Sequence, residues 1–238
     1  MTNQKISQKK KIVSIVLNFL IFTLSMLAVV LACVFARKHG YSHWHKRLLY
    51  FTQQSNIWIG VTSLIFAIFL LKKNVSAKTM KTLSTLKYVF TISITVTCII
   101  FCALLAPFAD FRLWYFSSVV THVVVPALSI FDFFTNEYIE NVHKQDTFLS
   151  FIPPLMYFLI AGVLCLLKVD FGRGDAYPYF FMDFYSEVGL FGFKNSNPPQ
   201  MGSFYWIVFF FVFIYALSFL FIKIKKWIIE RKRPNKTL

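Results

Sequence analysis

Charged residues are scarce in this chain, and acids are the scarcer sign. Only 15% of the 238 residues are Asp, Glu, Lys or Arg, with 10 acids against 25 bases. A soluble domain of this size would be nearer a quarter charged and about half apolar. Here 57% of the residues are hydrophobic and 19% aromatic, which excludes that class. Cysteine is also sparse. Cys33, Cys98, Cys102 and Cys165 all lie inside apolar runs, so no extramembrane pair can build a disulfide framework. No CxxC or Cys/His spacing of the kind zinc requires occurs. Phosphate loops and dinucleotide fingerprints are absent too, so no nucleotide or redox cofactor is expected. Internal repeats are lacking, and no room remains for a soluble module.

What is present is a succession of apolar runs of roughly 20 residues, the length that crosses a bilayer as a helix. They predict an all-α fold, a polytopic membrane helix bundle forming a single domain over 1–238. Six transmembrane helices are expected, at about 12–36, 48–71, 88–108, 113–134, 148–167 and 203–223. The basic start before the first run resembles a signal peptide, but the run is too long for one and reads as a retained helix. The formal charge of +15 is spread as short clusters between the runs. That is how orientation is encoded, so nucleic acid is rejected as a partner. Of the 25 Lys and Arg, 17 fall on the side of the two termini and 8 on the other. Both termini are therefore expected in the cytoplasm, in a multi-pass protein of the cell membrane.

Three polar features interrupt this apolar pattern. Leu113–Phe134 carries His122 near its middle and Asp132 near its end, and an ionisable group in hydrocarbon faces a bundle interior or a wet cavity. At 100° per residue Tyr115, Ser118, His122, Pro126, Ser129 and Asp132 share one side of that helix. The second span opens with Phe51-Thr52-Gln53-Gln54-Ser55-Asn56, a polar block too long for a headgroup entry. The loop 168–202 carries Tyr177-Pro178-Tyr179-Phe180-Phe181-Met182-Asp183, and long aromatic loops often cover binding sites. With the termini inside, Thr52 and His122 lie roughly 6 and 14 Å below the outer ends of their spans. All three features then converge on one outward-facing pocket. The loop 37–47 holds His39, His43 and His45, a set that could bind a metal but reads as a solvated interfacial loop.

A hydroxyl beside an imidazole is the smallest unit for nucleophilic acyl transfer, because the imidazole takes the proton that makes the hydroxyl a weak nucleophile. An acidic third member would orient the ring. Asp132 is ten residues from His122, roughly 15 Å along the helix, and too far to touch it. Asp183, Asn56 or Gln53 could take that place, and Asn56 or Ser55 could donate to an oxyanion. Inside a membrane the natural substrate is a lipid ester entering laterally. The pocket residues are thus Gln53, Ser55, Asn56, Ser118, Asp132, Tyr177, Tyr179 and Asp183, around Thr52 and His122.

Tyr50-Phe51-Thr52-Gln53-Gln54-Ser55-Asn56, His122-Val123-Val124-Val125-Pro126 followed by Asp132, and Tyr177-Pro178-Tyr179-Phe180 with Asp183 together resemble the androgen-induced/FAR-17a family of six-span membrane proteins. The likeness runs from the second span to the fifth loop. Animal members are intramembrane threonine hydrolases acting on fatty-acid esters of hydroxy fatty acids. By motif position the resemblance implies that Thr52 is the nucleophile and His122 the base. The block Gln53–Asn56 looks like the bacterial branch, which leaves the substrate open. A lipid-ester hydrolase is therefore expected, with membrane lipids as its surroundings. The alternative is a non-enzymatic small transporter or amphiphile receptor using the same pocket. A transporter would more often show paired half-repeats or broken helices, and neither is visible.

Overall fold

The computed structural model describes residues 8–108, 114–139, 142–195 and 200–232, with side chains through 231. Helix accounts for 77% of it. Six helices are long and apolar enough to cross a membrane: α1 Gln8–Val34, α2 Phe51–Leu71, α3 Ala77–Leu105, α4 Phe116–Thr135, α5 Lys144–Leu166 and α6 Ser203–Arg231. The chain is a multi-pass membrane protein. The connection Ala109–Arg112 and the expected start of the fourth span at Leu113 lie outside the described residues.

Two helix starts differ from those expected for a local reason, and the long loop carries structure of its own. The basic stretch 72–87 was expected as a loop, but α3 begins at Ala77 and takes in Lys78, Lys81 and Lys87. Ser76 caps it, its Oγ accepting from the Thr79 N–H at 3.1 Å. The fifth helix starts at Lys144 rather than near Phe148, as a tight 3₁₀ stretch over Lys144–Phe151 that becomes α-helical at Ile152. Pro153 and Pro154 follow at once, where their missing N–H groups cost nothing. The loop 168–202 contains a 3₁₀ turn, Phe180–Met182, and a two-stranded hairpin in which β1 Phe193–Lys194 pairs antiparallel with β2 Gln200–Met201.

Helices α1 to α4 pack around a small apolar centre, with Ile21 and Ala28 of α1 against Ile59, Ile94, Val120 and Val125. The α1–α2 crossing is close because it is built from small residues: a Cβ on Gly60 would lie 2.8 Å from the Met26 methyl and 3.0 Å from Ser25 Cβ. Helices α5 and α6 join on the α3 side, where Phe133, Phe181, Phe210 and Ile214 belong to a larger cluster. Outward faces stay apolar and exposed, as at Val16 and Val30 of α1, Leu159 and Val163 of α5, and Val208 and Val212 of α6. That surface suits lipid contact.

Two loops close one end of the bundle. Segment 37–50 meets segment 168–183, with the Ser42 N–H on the Gly172 carbonyl at 2.7 Å and Lys46 Nζ on the Asp170 carbonyl at 2.5 Å. Gly172 has φ +107°, and a Cβ there would lie 2.7 Å from Lys46 Cβ, so only glycine allows the loops to meet this closely. The Asp170 carboxylate accepts from the Gly172 and Gly174 N–H groups at 2.7 and 2.9 Å. These donors, Gly172 foremost, hold its carboxyl below the usual range.

Candidate functional site

Beneath that loop cover, α2 and α4 bring Thr52 and His122 together. The Thr52 Oγ1 lies 3.2 Å from His122 Nε2. On the other side of the ring, Nδ1 lies 2.8 Å from the Ser118 carbonyl. A carbonyl only accepts, so the proton sits on Nδ1 and the Nε2 lone pair faces the threonine hydroxyl. Thr52 therefore donates and His122 accepts, which is the direction a general base requires.

The local backbone sets this up. Around His122 the helix widens to a π turn over Val120–Val124, and Phe101–Leu105 of α3 does the same. Each turn is closed by an N–H bonded five residues back, Val125 to Val120 and Ala106 to Phe101. In both cases proline follows two residues beyond the turn, Pro126 and Pro107, and cannot donate back to the preceding turn. Single π turns of this kind cluster at functional sites. The two meet where Phe101 stacks on the His122 ring, centroids 3.8 Å apart and planes 18° apart.

The polar block after Thr52 turns inward. Ser55 and Asn56 both donate to the Thr52 carbonyl, at 3.1 and 2.8 Å. Asn56 Nδ2 also reaches the Thr121 carbonyl at 3.1 Å, and Ser55 Oγ meets Thr97 Oγ1 at 2.9 Å. These side chains lock α2 to α3 and α4 through Thr52's own carbonyl. Their donors are occupied there, so they are not the expected oxyanion donors. Gln53 is buried, its Oε1 without a partner. The α3 hydroxyls bond their own helix as expected, Ser93 to Val89, Thr95 to Thr91 and Thr97 to Ser93.

Thr52 and His122 line a cavity of about 40 Å³. Val96, Ile100, Phe101 and Leu105 of α3 form one wall, Pro154, Tyr157 and Phe158 of α5 another, and Phe210 and Ile214 of α6 a third. Tyr179 and Phe181 of the loop complete it. The lining is aliphatic and aromatic except around the threonine, so the polar pair stands at the edge of an apolar wall. Tyr179 lines the cavity together with Phe51 and Thr52. Burial, the largest cause, pushes its phenol up to about 12, so it stays protonated.

Of the eight expected pocket residues Tyr179 lines the cavity. Gln53, Ser55, Asn56 and Ser118 are near Thr52 or His122 in the chain but do not line it, and three others lie elsewhere. Tyr177 is half-buried against the larger core cluster and does not reach the cavity wall. Asp183 accepts from the Tyr185 N–H at 3.1 Å, and its place beside the imidazole is taken by the Ser118 carbonyl. Asp132 forms a second cluster, nearer the other end of the bundle. Its Oδ2 lies 2.8 Å from Lys87 Nζ, both side chains fully buried. Its Oδ1 accepts from Asn18 and Asn136 at 3.1 and 3.0 Å, and Lys87 also donates to Ser63 Oγ at 2.9 Å. A carboxylate inside the bundle needs a cation, and Lys87 is that cation. Its signal in the sequence was an intramembrane Asp still lacking a partner.

The loop histidines pack as rings, His39 on Tyr115 at 3.8 Å and His43 on His45 at 5.3 Å. Arg47, buried nearby, donates to Tyr115 Oη at 2.9 Å and lies over the Tyr41 ring. No family model, no curated protein and no solved structure matches this chain.

Proposed function

We propose that this chain is an integral membrane lipid-ester hydrolase with Thr52 as nucleophile and His122 as general base. The observation that carries this is the His122 lone pair aimed at the Thr52 hydroxyl, with Nδ1–H held by the Ser118 carbonyl. Thr52 Oγ1 attacks the ester carbonyl carbon while its proton passes to Nε2. The carbonyl π pair moves onto oxygen, giving a tetrahedral oxyanion. Its collapse breaks the bond to the alcohol oxygen, which leaves with the proton from Nε2. Water, activated by the same Nε2, then cleaves the threonine ester to free fatty acid and restores the hydroxyl. The imidazolium formed on the way faces the Phe101 ring, a cation–π contact worth about 0.5–2 kcal/mol.

The resemblance of three motifs to the androgen-induced/FAR-17a family agrees with this reading, and we propose membership on the same basis. The Lys and Arg bias supports a topology with both termini cytoplasmic. Removing the buried Lys87 and Lys225 from that count leaves the excess in place. The site then lies in the outer half of a cell membrane, bacterial by its polar block, where a membrane lipid enters sideways. An amphiphile receptor would use the same apolar cavity, but it has no need of a lone pair trained on a hydroxyl.

Labelling with a lipid-like fluorophosphonate ester tests this. Wild type should label, and Thr52→Ala and His122→Ala should each lose labelling and lower ester turnover by about 10²–10⁴-fold, with unchanged thermal midpoints. Full esterase activity in Thr52→Ala would overturn the assignment. An inert but folded wild type would favour the receptor.

A further inference from the structure

An oxyanion in this site needs donors, and the residues expected to supply them, Ser55 and Asn56, point their donors at the Thr52 and Thr121 carbonyls and at Thr97. The donors lie elsewhere. Thr52 is the second residue of α2, and the first N–H groups of a helix have no intrahelical acceptor. The Tyr50 carbonyl takes the N–H groups of Gln53 and Gln54, at 3.0 and 3.2 Å. Those of Phe51 and Thr52, two residues that line the cavity, take no backbone acceptor among the described residues and stand at the positive end of the α2 dipole. Tyr179, from the loop, lines the same cavity as Phe51 and Thr52. Independently, Tyr157 of α5 lines the same cavity with its ring beside Phe51, its residue 5% exposed and its oxygen without a hydrogen-bond partner among the described residues. A buried hydroxyl in that condition is costly unless something else arrives to use it.

We infer that the first-turn N–H groups of Phe51 and Thr52, with the phenols of Tyr157 and Tyr179, form the oxyanion cradle of this site. The inference rests on the hydrolase reading and extends it. When Thr52 attacks, the ester carbonyl oxygen comes to lie between these groups. The two N–H groups then donate to it, and the phenols turn their O–H groups to the same oxygen. No proton leaves either tyrosine. The donors are carried by the fold into an otherwise apolar wall before the charge develops, where such groups act most strongly. Tyr179 comes from the loop and Tyr157 from α5, so the cradle is complete only while the loop cover is seated.

The test uses the full chain in detergent micelles with para-nitrophenyl decanoate as substrate and two inhibitors. A decyl trifluoromethyl ketone adds the threonine oxygen to its carbonyl and presents an oxyanion, whereas decanol fills the cavity without one. Tyr179→Phe and Tyr157→Phe should each lower kcat by about 10–10³-fold with KM nearly unchanged. Each should weaken inhibition by the ketone by a similar factor and leave inhibition by decanol as it was. A fluorinated tyrosine placed at 179 keeps the shape and strengthens the donor, so kcat and ketone affinity should rise together. If both Phe variants and the fluorinated chain hold wild-type kcat and ketone affinity, the cradle is overturned while the Thr52–His122 assignment stands. If the ketone inhibits Thr52→Ala as it inhibits wild type, or if wild type neither cleaves the ester nor binds the ketone, the hydrolase reading falls and takes the cradle with it.

Discussion

The Lys87–Asp132 cluster and the Thr52–His122 cluster are built on the same helices, α2, α3 and α4, yet they are finished differently. His122 and Asp132 are ten residues apart on α4, about 15 Å of helix. At the Asp132 end two charges face each other at 2.8 Å, and Ser63, Asn18 and Asn136 take up their remaining hydrogen bonds. At the Thr52 end every member is neutral or a bare hydroxyl, one phenol lacks a partner, and the group opens on a cavity. The charged cluster pairs its two charges inside the bundle, so it holds four helices in one arrangement. The neutral one is left partly unsatisfied where a substrate would complete it. Polarity inside a membrane bundle therefore points to function where it borders a cavity, and to packing where charge meets charge.

The sharpest way to break that contrast is to empty each cluster in turn. Lys87→Met leaves a buried carboxylate alone and should destabilise the protein by about 3–5 kcal/mol, read as a lowered thermal midpoint. Fluorophosphonate labelling per folded molecule should not change. His122→Ala should do the reverse, losing labelling at an unchanged midpoint. Replacing both partners, Lys87→Met with Asp132→Leu, should recover most of the stability, because the penalty lies in the unpaired charge. If Lys87→Met abolished labelling in well-folded protein, the division between the clusters would fail.

A smaller effect is expected at Phe101. Phe101→Leu removes the ring that faces the imidazolium and should lower kcat about 3–30-fold, with KM little altered, at a cation–π contribution of about 0.5–2 kcal/mol. An equal loss in kcat and in decanol affinity would instead mean that Phe101 only shapes the cavity.

The smallest effect concerns the loop cover. Asp170 has its carboxyl held below the unfolded value, which is about 3.9. Its hydrogen bonds to Gly172 and Gly174 therefore contribute above that pH and are lost as pH falls through the depressed folded value. The amide resonances of Gly172 and Gly174 should shift in one step below about pH 4. Asp170→Asn should abolish the step, and a step that persists would remove Asp170 from this role.

The sequence by itself determined the six spans, because hydrocarbon admits only helices long and apolar enough to cross it, and that requirement is written residue by residue. It also marked Thr52, His122 and Asp132, since polar groups inside apolar runs are costly enough to be rare. Only the tertiary structure decided which of these belong together. Asp132 shares a helix face with His122, but rise along the helix separates them, and the cation it needed came from Lys87 on another helix, in a stretch whose basic composition reads as a loop. Likewise the third group at the imidazole proved to be a backbone carbonyl, Ser118, which no side-chain pattern records. Ser55 and Asn56 have donors fit for an oxyanion, but the turn of α2 points them at the Thr52 carbonyl. Tyr157 reads in sequence as one more aromatic of a lipid-facing helix, and burial beside Phe51 is what sets it apart. Composition and periodicity fix what each segment must avoid exposing. Which buried groups meet is fixed by how six helices pack, and that depends on all of them at once.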